Sequence, residues 1–200
     1  LALEATKTKS IGLIGTHTTV SSKSYEKALL SYTKDNSFTI TSIACPLFVP
    51  LVEDGWLFKN RGVICDIASE YFKLLISKSG KNQIDTIILG CTHYPIILTE
   101  IKEALFDLGY RNLQYIDNAN AIIPEIQKSF NLNSIQDCEN SSTNQSQINK
   151  TNDFPLITSE DEFYATDQPH QFLQIANNML KVNKLWSDYN LQTYPEIISL

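Results

Sequence analysis

The residues best suited to chemistry lie where an apolar run breaks, in Leu89-Gly90-Cys91-Thr92-His93. Residues 84–89 read as a buried strand, and Pro95 opens a helix that runs to about Leu108. A thiol at such a strand-to-helix junction faces the first-turn N–H groups, which lower its pKa from about 8.5 towards neutrality. His93 can share a proton with that thiol or with a bound carboxylate, and Thr92 offers a hydroxyl and a backbone donor. The bare Cys-x-His spacing fits a structural cysteine at a strand end about as well as a reactive one.

Two further groups could join this site. Glu53 follows the apolar stretch Phe48-Val49-Pro50-Leu51-Val52, which would set a carboxylate near buried surface, to orient a histidine or to do acid–base work itself. The plainer reading is an exposed glutamate at a helix start beside Asp54 and Gly55. Thr16 and Thr19 lie in a hydroxyl-rich stretch, 16–22, read as a loop able to hold a carboxylate, although Thr and Ser are common in any turn. The other cysteines promise less. Cys65 sits in an apolar helical pattern and reads as core packing, Cys138 lies in a polar tract, and no Cys-x-x-Cys or zinc spacing occurs.

Positioning these groups requires strands that end together. Ile11 to Gly15, Phe38 to Cys45, Ile84 to Leu89 and Leu113 to Ile116 read as strands. Helices are expected from about Ser24 to Tyr32, Arg61 to Ser77, Pro95 to Leu108 and Asn118 to about Phe130, with an apolar loop or short helix over 46–56. Strand and helix alternating in this way give an α/β fold, a parallel sheet flanked by helices with right-handed crossovers. Ligands bind such sheets beyond the carboxyl ends of the strands. Thr16 and Thr19, Cys45 and Glu53, and Cys91 to His93 therefore converge if the three strands are neighbours. From residue 131 to 152 Asn, Ser, Gln and Thr dominate and no apolar period survives, as in a linker. Beyond it a strand is expected over Phe163 to Thr166 and a helix from about Gln168 to Val182.

Composition narrows the function. The 200 residues carry 42% apolar and 19% charged side chains and a net charge of −6, enough for one ordinary core. An acidic chain with no Lys/Arg cluster lacks the footprint of a nucleic-acid binder and would be repelled by anionic membranes. No run of eighteen apolar residues suggests a membrane span, and the start has no signal-peptide pattern. Four scattered cysteines read as reduced thiols of a cytoplasmic protein. The chain opens on Leu1 and enters a strand almost at once, as a piece of a longer chain would.

Four segments together resemble the successive motifs of bacterial glutamate racemases. They are Ile-Gly-Leu-Ile-Gly-Thr16-His-Thr-Thr19, Ala-Cys45-Pro-Leu-Phe-Val-Pro-Leu-Val-Glu53-Asp-Gly, Leu-Gly-Cys91-Thr92-His93-Tyr-Pro and Tyr-Ile-Asp117-Asn-Ala-Asn-Ala. Their order and spacing also match, from about Ile11 to Phe130, with a weaker echo in Phe163-Tyr-Ala-Thr166, Phe172 and Leu173. The resemblance implies a two-thiol mechanism with no metal and no other cofactor: one thiolate removes the α-proton of glutamate and a second thiol returns a proton to the opposite face. It makes Cys91 the cysteine that deprotonates L-glutamate, with His93 and Glu53 assisting as catalytic residues. Thr92, His93, Thr16 and Thr19 match substrate-contacting positions. Thr18 stands where a glycine is common in the family.

The family folds as two α/β domains. On that pattern residues 1–117 form the second domain, and 118–200 return to the first, with the polar linker at 131–152. The family's first half, with its Asp-Ser-Gly motif and the other catalytic cysteine, has no counterpart here. Cys45 belongs to a different motif and cannot replace it. The resemblance thus implies half of an active site, apolar surface meant for the missing strands, and D-glutamate supply for peptidoglycan in the cytoplasm. Glutamate is the expected partner, nucleic acid and membrane are not, and the family admits a homodimer. Open alternatives are an inactive truncated binding domain, a racemase of a related amino acid such as aspartate, and a cysteine hydrolase using Cys91, His93 and Glu53.

Overall fold

β-branched, apolar runs bounded by Gly or Pro become the strands of a parallel sheet in the computed structural model, which describes residues 1–33, 38–80, 83–129, 164–165, 175 and 192–193. The chain divides into two units, Leu1–Leu132 and Asn133–Leu200. In the first, β1 (Ser10–Gly15), β2 (Thr39–Ala44), β3 (Thr86–Gly90) and β4 (Gln114–Asp117) lie in the order β2-β1-β3-β4, and every neighbouring pair is parallel. β1 and β3 are buried at every residue, as their unbroken apolar runs require of central strands, whereas β2 and β4 expose part of theirs.

Helices cover both faces. Ile11, Leu13 and Ile88 pack with Ala2 of α1 (Ala2–Ala5) and with Tyr25 and Leu29 of α3 (Ser24–Ser31). On the other face, α6 (Arg61–Ser79) presents Ile64, Ala68, Phe72 and Leu75, and α7 (Leu98–Asp107) presents Ile101, Ala104 and Leu105. Gly12 is the point of closest approach there. A Cβ on it would stand 2.8 Å from Ile87 Cδ1 and 2.9 Å from Leu75 Cδ2, so a larger residue there must push these side-chain ends aside. Each fully buried Ile, Leu or Phe contributes about 1.5–3 kcal/mol.

Several local expectations change. Residues 16–22 are not a loop: Thr16 caps a short helix, α2 (His17–Ser22), by accepting the Thr19 N–H on its hydroxyl. α1 is unforeseen, because one buried alanine in four residues leaves no period to read. Residues 46–56 yield α4 (Phe48–Glu53) and the start of α5 (Trp56–Lys59). The helix expected from Pro95 begins as a 3₁₀ turn, Tyr94–Ile97, and becomes α-helical only at Leu98. α8 (Asn118–Ser129) carries Pro124, which lacks the N–H of an interior helical residue.

In the second unit, β5 (Tyr164–Ala165) pairs in parallel with β6 (Gln192–Thr193). β5 meets the middle of the strand expected over 163–166. The expected linker at 131–152, the helix over 168–182 apart from the helical Ile175, Cys138, Phe172 and Leu173 lie outside the described residues. Among the described residues, no helix is long and apolar enough to cross a membrane.

Candidate active site

Register brings the chemical groups together. Gly15 of β1 pairs with Ala44 of β2 on one side and Gly90 of β3 on the other, so Thr16, Cys45 and Cys91 leave three adjacent strands at the same level. The convergence expected at the carboxyl edge is therefore present, with β1 in the middle.

Cys91 opens a tight turn in which Tyr94 N–H donates to the Cys91 carbonyl over 3.2 Å. The turn folds the His93 ring back onto the thiol, leaving Sγ and Nδ1 3.8 Å apart. The opposite ring nitrogen, Nε2, lies 2.9 Å from Glu53 Oε1 at the end of α4. The three side chains form one chain of proton-exchanging groups, and all are partly exposed. With Nε2–H donating to Glu53, the Nδ1 lone pair faces the thiol and can take its proton. Glu53 is thus part-buried against the His93 ring rather than a merely exposed carboxylate. The turn after Cys91 is 3₁₀ and the regular helix begins only at Leu98, while His93 lies beside the thiol.

The threonines form the second wall. Thr16 and Thr19 hydroxyls are 3.0 Å apart, and Thr19 Oγ1 donates to the Gly90 carbonyl over 3.4 Å, tying α2 to the residue before Cys91. Both are partly exposed and Thr92 is exposed.

The other described cysteines are different. Cys45 is fully buried, its N–H donates to the Gly15 carbonyl, and burial pushes its thiol far above the ordinary range. Cys65 is not core packing: its Sγ reaches Glu103 Oε2 across the α6–α7 seam at 3.5 Å. Burial and then that carboxylate raise its pKa to about 11. Among the described residues no group of three or more metal-ligating side chains gathers.

The sequence does not single out Tyr94, yet it holds the site together. Its ring is fully buried against Phe48 in an edge-to-face contact at 5.2 Å, and Phe48 meets Tyr71 in the same way. Its hydroxyl donates to the Cys45 carbonyl over 3.0 Å, and burial pushes the phenol well above its ordinary value. The available signal is a large aromatic directly after His93, but nothing in the order of residues shows where it anchors.

No family model matches the chain. It is 35% identical over 179 residues to the glutamate racemase of Sulfurihydrogenibium sp. (strain YO3AOP1), a match covering 90% of this chain and 55% of that protein. It is 40% identical over 128 residues to the glutamate racemase of Chlorobium phaeobacteroides, covering 64% of this chain and 43% of the relative. Glutamate racemase isoform RacE1 from Bacillus anthracis superposes with a TM-score of 0.64 at 25% identity, over 96% of this chain and 59% of that one. The Francisella tularensis glutamate racemase, solved with D-glutamate, gives 0.56 at 25% identity over 92% and 56%. Sequence and fold agree: the chain is a homologue of the glutamate racemases, spanning about half of the length of the curated relatives it matches.

Proposed function

We propose that this chain supplies one face of a glutamate racemase active site, with Cys91 as one of two thiols that exchange the α-proton of glutamate. The observation that carries the reading is the Cys91–His93–Glu53 chain at the carboxyl edge of the sheet, in a homologue of glutamate racemases. Cys91, as thiolate, removes the α-proton of L-glutamate. The electron pair left on the α-carbon is held by the neighbouring carboxylate, and a thiol on the opposite face delivers a proton to give D-glutamate. The reverse direction exchanges the two roles, so acid and base must stand on opposite faces. His93 takes the Cys91 proton beforehand, and Glu53 keeps Nε2 protonated so that Nδ1 can accept. Thr16, Thr19 and Thr92 offer hydroxyls to the substrate carboxylates and ammonium. None of these steps calls for a metal or another cofactor.

The second thiol belongs, on this reading, to the part of the family's length that this chain does not span. Residues 1–117 act as the Cys91 domain and 118–200 belong with the other. The exposure of Ile122, Ile123 and Ile126 on α8 supports a surface that the remaining half covers. The product supplies D-glutamate for peptidoglycan in the cytoplasm. Cysteine hydrolases also use a thiol, a base and an orienter, but the likeness to glutamate racemases favours proton transfer.

Proton NMR of L-glutamate in D2O tests the proposal. Joined to the missing half of a homologue, the chain is expected to wash out the α-proton signal, and Cys91→Ser to abolish exchange from L-glutamate. The chain alone is expected to show greatly weakened or no turnover. Full racemisation by this chain alone, or exchange that survives Cys91→Ser, would sink the reading.

A further inference from the structure

Glu53 and the Cys91–His93 turn sit on separate segments, and the structure pins those segments together at both ends. One segment runs from Cys45 through α4 and α5 to Arg61; the other runs from Cys91 through the 3₁₀ turn into α7. At their near ends Tyr94 Oη donates to the Cys45 carbonyl. At their far ends Arg61 Nε donates to Glu100 Oε1 over 2.6 Å, and Nη2 reaches Glu103 Oε1 at 3.3 Å. Between the pins, α4 has six residues and α5 four, too short to hold a shape by themselves. The place of Glu53 relative to His93 is therefore set by what the segment packs on, the buried Phe48, Leu51 and Val52 of α4, and by the pins at its two ends, rather than by helix stiffness.

The far pin is an unusual way to join two helices. Arg61 is half exposed, but Glu100 is 1% exposed, and its Oε2 is buried with no hydrogen-bond partner among the described residues. Burying a carboxylate that satisfies one oxygen is a poor source of stability, and an apolar pair of similar volume would serve as well. What the ion pair adds over an apolar pair is direction, since a charged hydrogen bond from the Arg fork favours one geometry more sharply than hydrophobic contact does.

We propose that Arg61, through Glu100, is a positioning residue of the active site: it sets the α4–α5 segment so that Glu53 meets His93 Nε2 and turns Nδ1 towards Cys91. The inference rests on the Cys91–His93–Glu53 reading above, but its test reads the His93 ring and not turnover.

The full chain is used, with Arg61→Met/Glu100→Leu as the pair that removes the pin without stranding a charge, and Arg61→Gln as a second variant that keeps an amide donor but leaves the Glu100 charge uncompensated. Long-range ¹⁵N–¹H spectra of the His93 ring report its tautomer, and iodoacetamide alkylation of Cys91, followed peptide by peptide, reports the thiol. In the native chain the His93 signals are expected to show the single tautomer with the proton on Nε2. In both folded variants they are expected to move to the mixture of a free imidazole, with Cys91 alkylation slowed by about tenfold, less than the roughly hundredfold of a whole general base. Glu53→Gln gives the same change, and combining it with the Arg61 variants adds nothing further, because both act through one ring. Arg61→Lys, which keeps a charged donor, returns the signals towards the native position. A folded Arg61 variant with native His93 spectra overturns the proposal, as does a change that adds to that of Glu53→Gln. Native His93 spectra already at the free mixture overturn the Glu53–His93 contact and the proposal together. Absent proton exchange with glutamate by the chain joined to the missing half of a homologue, by contrast, leaves the pin standing and removes only the racemase reading.

Discussion

Cys91 differs from its neighbours by what its sulfur faces. Cys45 has only apolar burial and Cys65 has a carboxylate, so both thiols resist ionisation. Since the thiolate is the reactive form, iodoacetamide near pH 8 is expected to label Cys91 well before Cys65 or Cys45. Cys65 should gain ground only as the pH climbs towards its pKa of about 11, and the peptide-resolved alkylation rates across pH check the order. Equal labelling of Cys65 and Cys91 at pH 8 would contradict this view of the site. The residue before the thiol is as constrained as the thiol itself. A Cβ on Gly90 would lie 2.9 Å from the Ile14 carbonyl and 3.1 Å from Leu13 Cδ1. Gly90→Ala must spread β1 and β3, which is expected to cost about 1–3 kcal/mol in urea unfolding.

The elements around the site are short, and tertiary packing makes up for what their length does not provide. α2 has six residues of low helix propensity and relies on its cap, so Thr16→Ala is expected to lose about 0.5–2 kcal/mol and to loosen Thr19 from the Gly90 carbonyl. α4 is held by Phe48, which is fully buried between Tyr71 and Tyr94. Phe48→Ala removes both edge-to-face contacts and is expected to cost about 3–5 kcal/mol, with Cys91 alkylation slowed in whatever folded population remains. Denaturant melts with the alkylation assay separate the two effects. A stable variant with native alkylation would show that α4 needs no aromatic anchor.

At the scale of the molecule, the amino edge of the sheet has its own fastening, opposite the site. Asp85, ahead of β3, accepts the Thr6 hydroxyl and the N–H groups of Lys7 and Thr8, so it ties the segment after α1 to the sheet. Burial opposes its charge, but hydrogen bonds from Thr6, Thr8, Lys7 and Thr86 outweigh that and bring the pKa from 3.8 down to about 2. A folded pKa below the unfolded one means the stabilisation is complete above about pH 4 and is lost as pH falls towards 2. Urea midpoints of the native chain should therefore fall through that window. Asp85→Asn, expected to be about 1–3 kcal/mol less stable at neutral pH, should fall less. A parallel decline in both proteins would place the acid sensitivity elsewhere.

The sequence by itself determined the parallel α/β architecture, because buried strands must be continuous apolar runs and amphipathic helices must repeat at 3.6 residues. β1, β3, α6 and the Cys91 junction carry those patterns openly. Residue types just beyond strand ends made Cys91, His93, Glu53, Thr16 and Thr19 candidates, and the resemblance of their motifs to glutamate racemases, not the types alone, assigned them to one site. Local pattern was silent where stability comes from contact rather than period. α1, the cap of α2 and the 3₁₀ turn before α7 depend on single hydrogen bonds or on one buried face. Only the tertiary structure decided that Glu53, forty residues from His93 in sequence, meets its ring, and that Cys65 faces Glu103 instead of the core. The same holds for Tyr94 and Arg61, which join two segments that no sequence period relates. Strand order and register supplied the rest: once Gly15 lies level with Ala44 and Gly90, residues scattered along the chain share one edge.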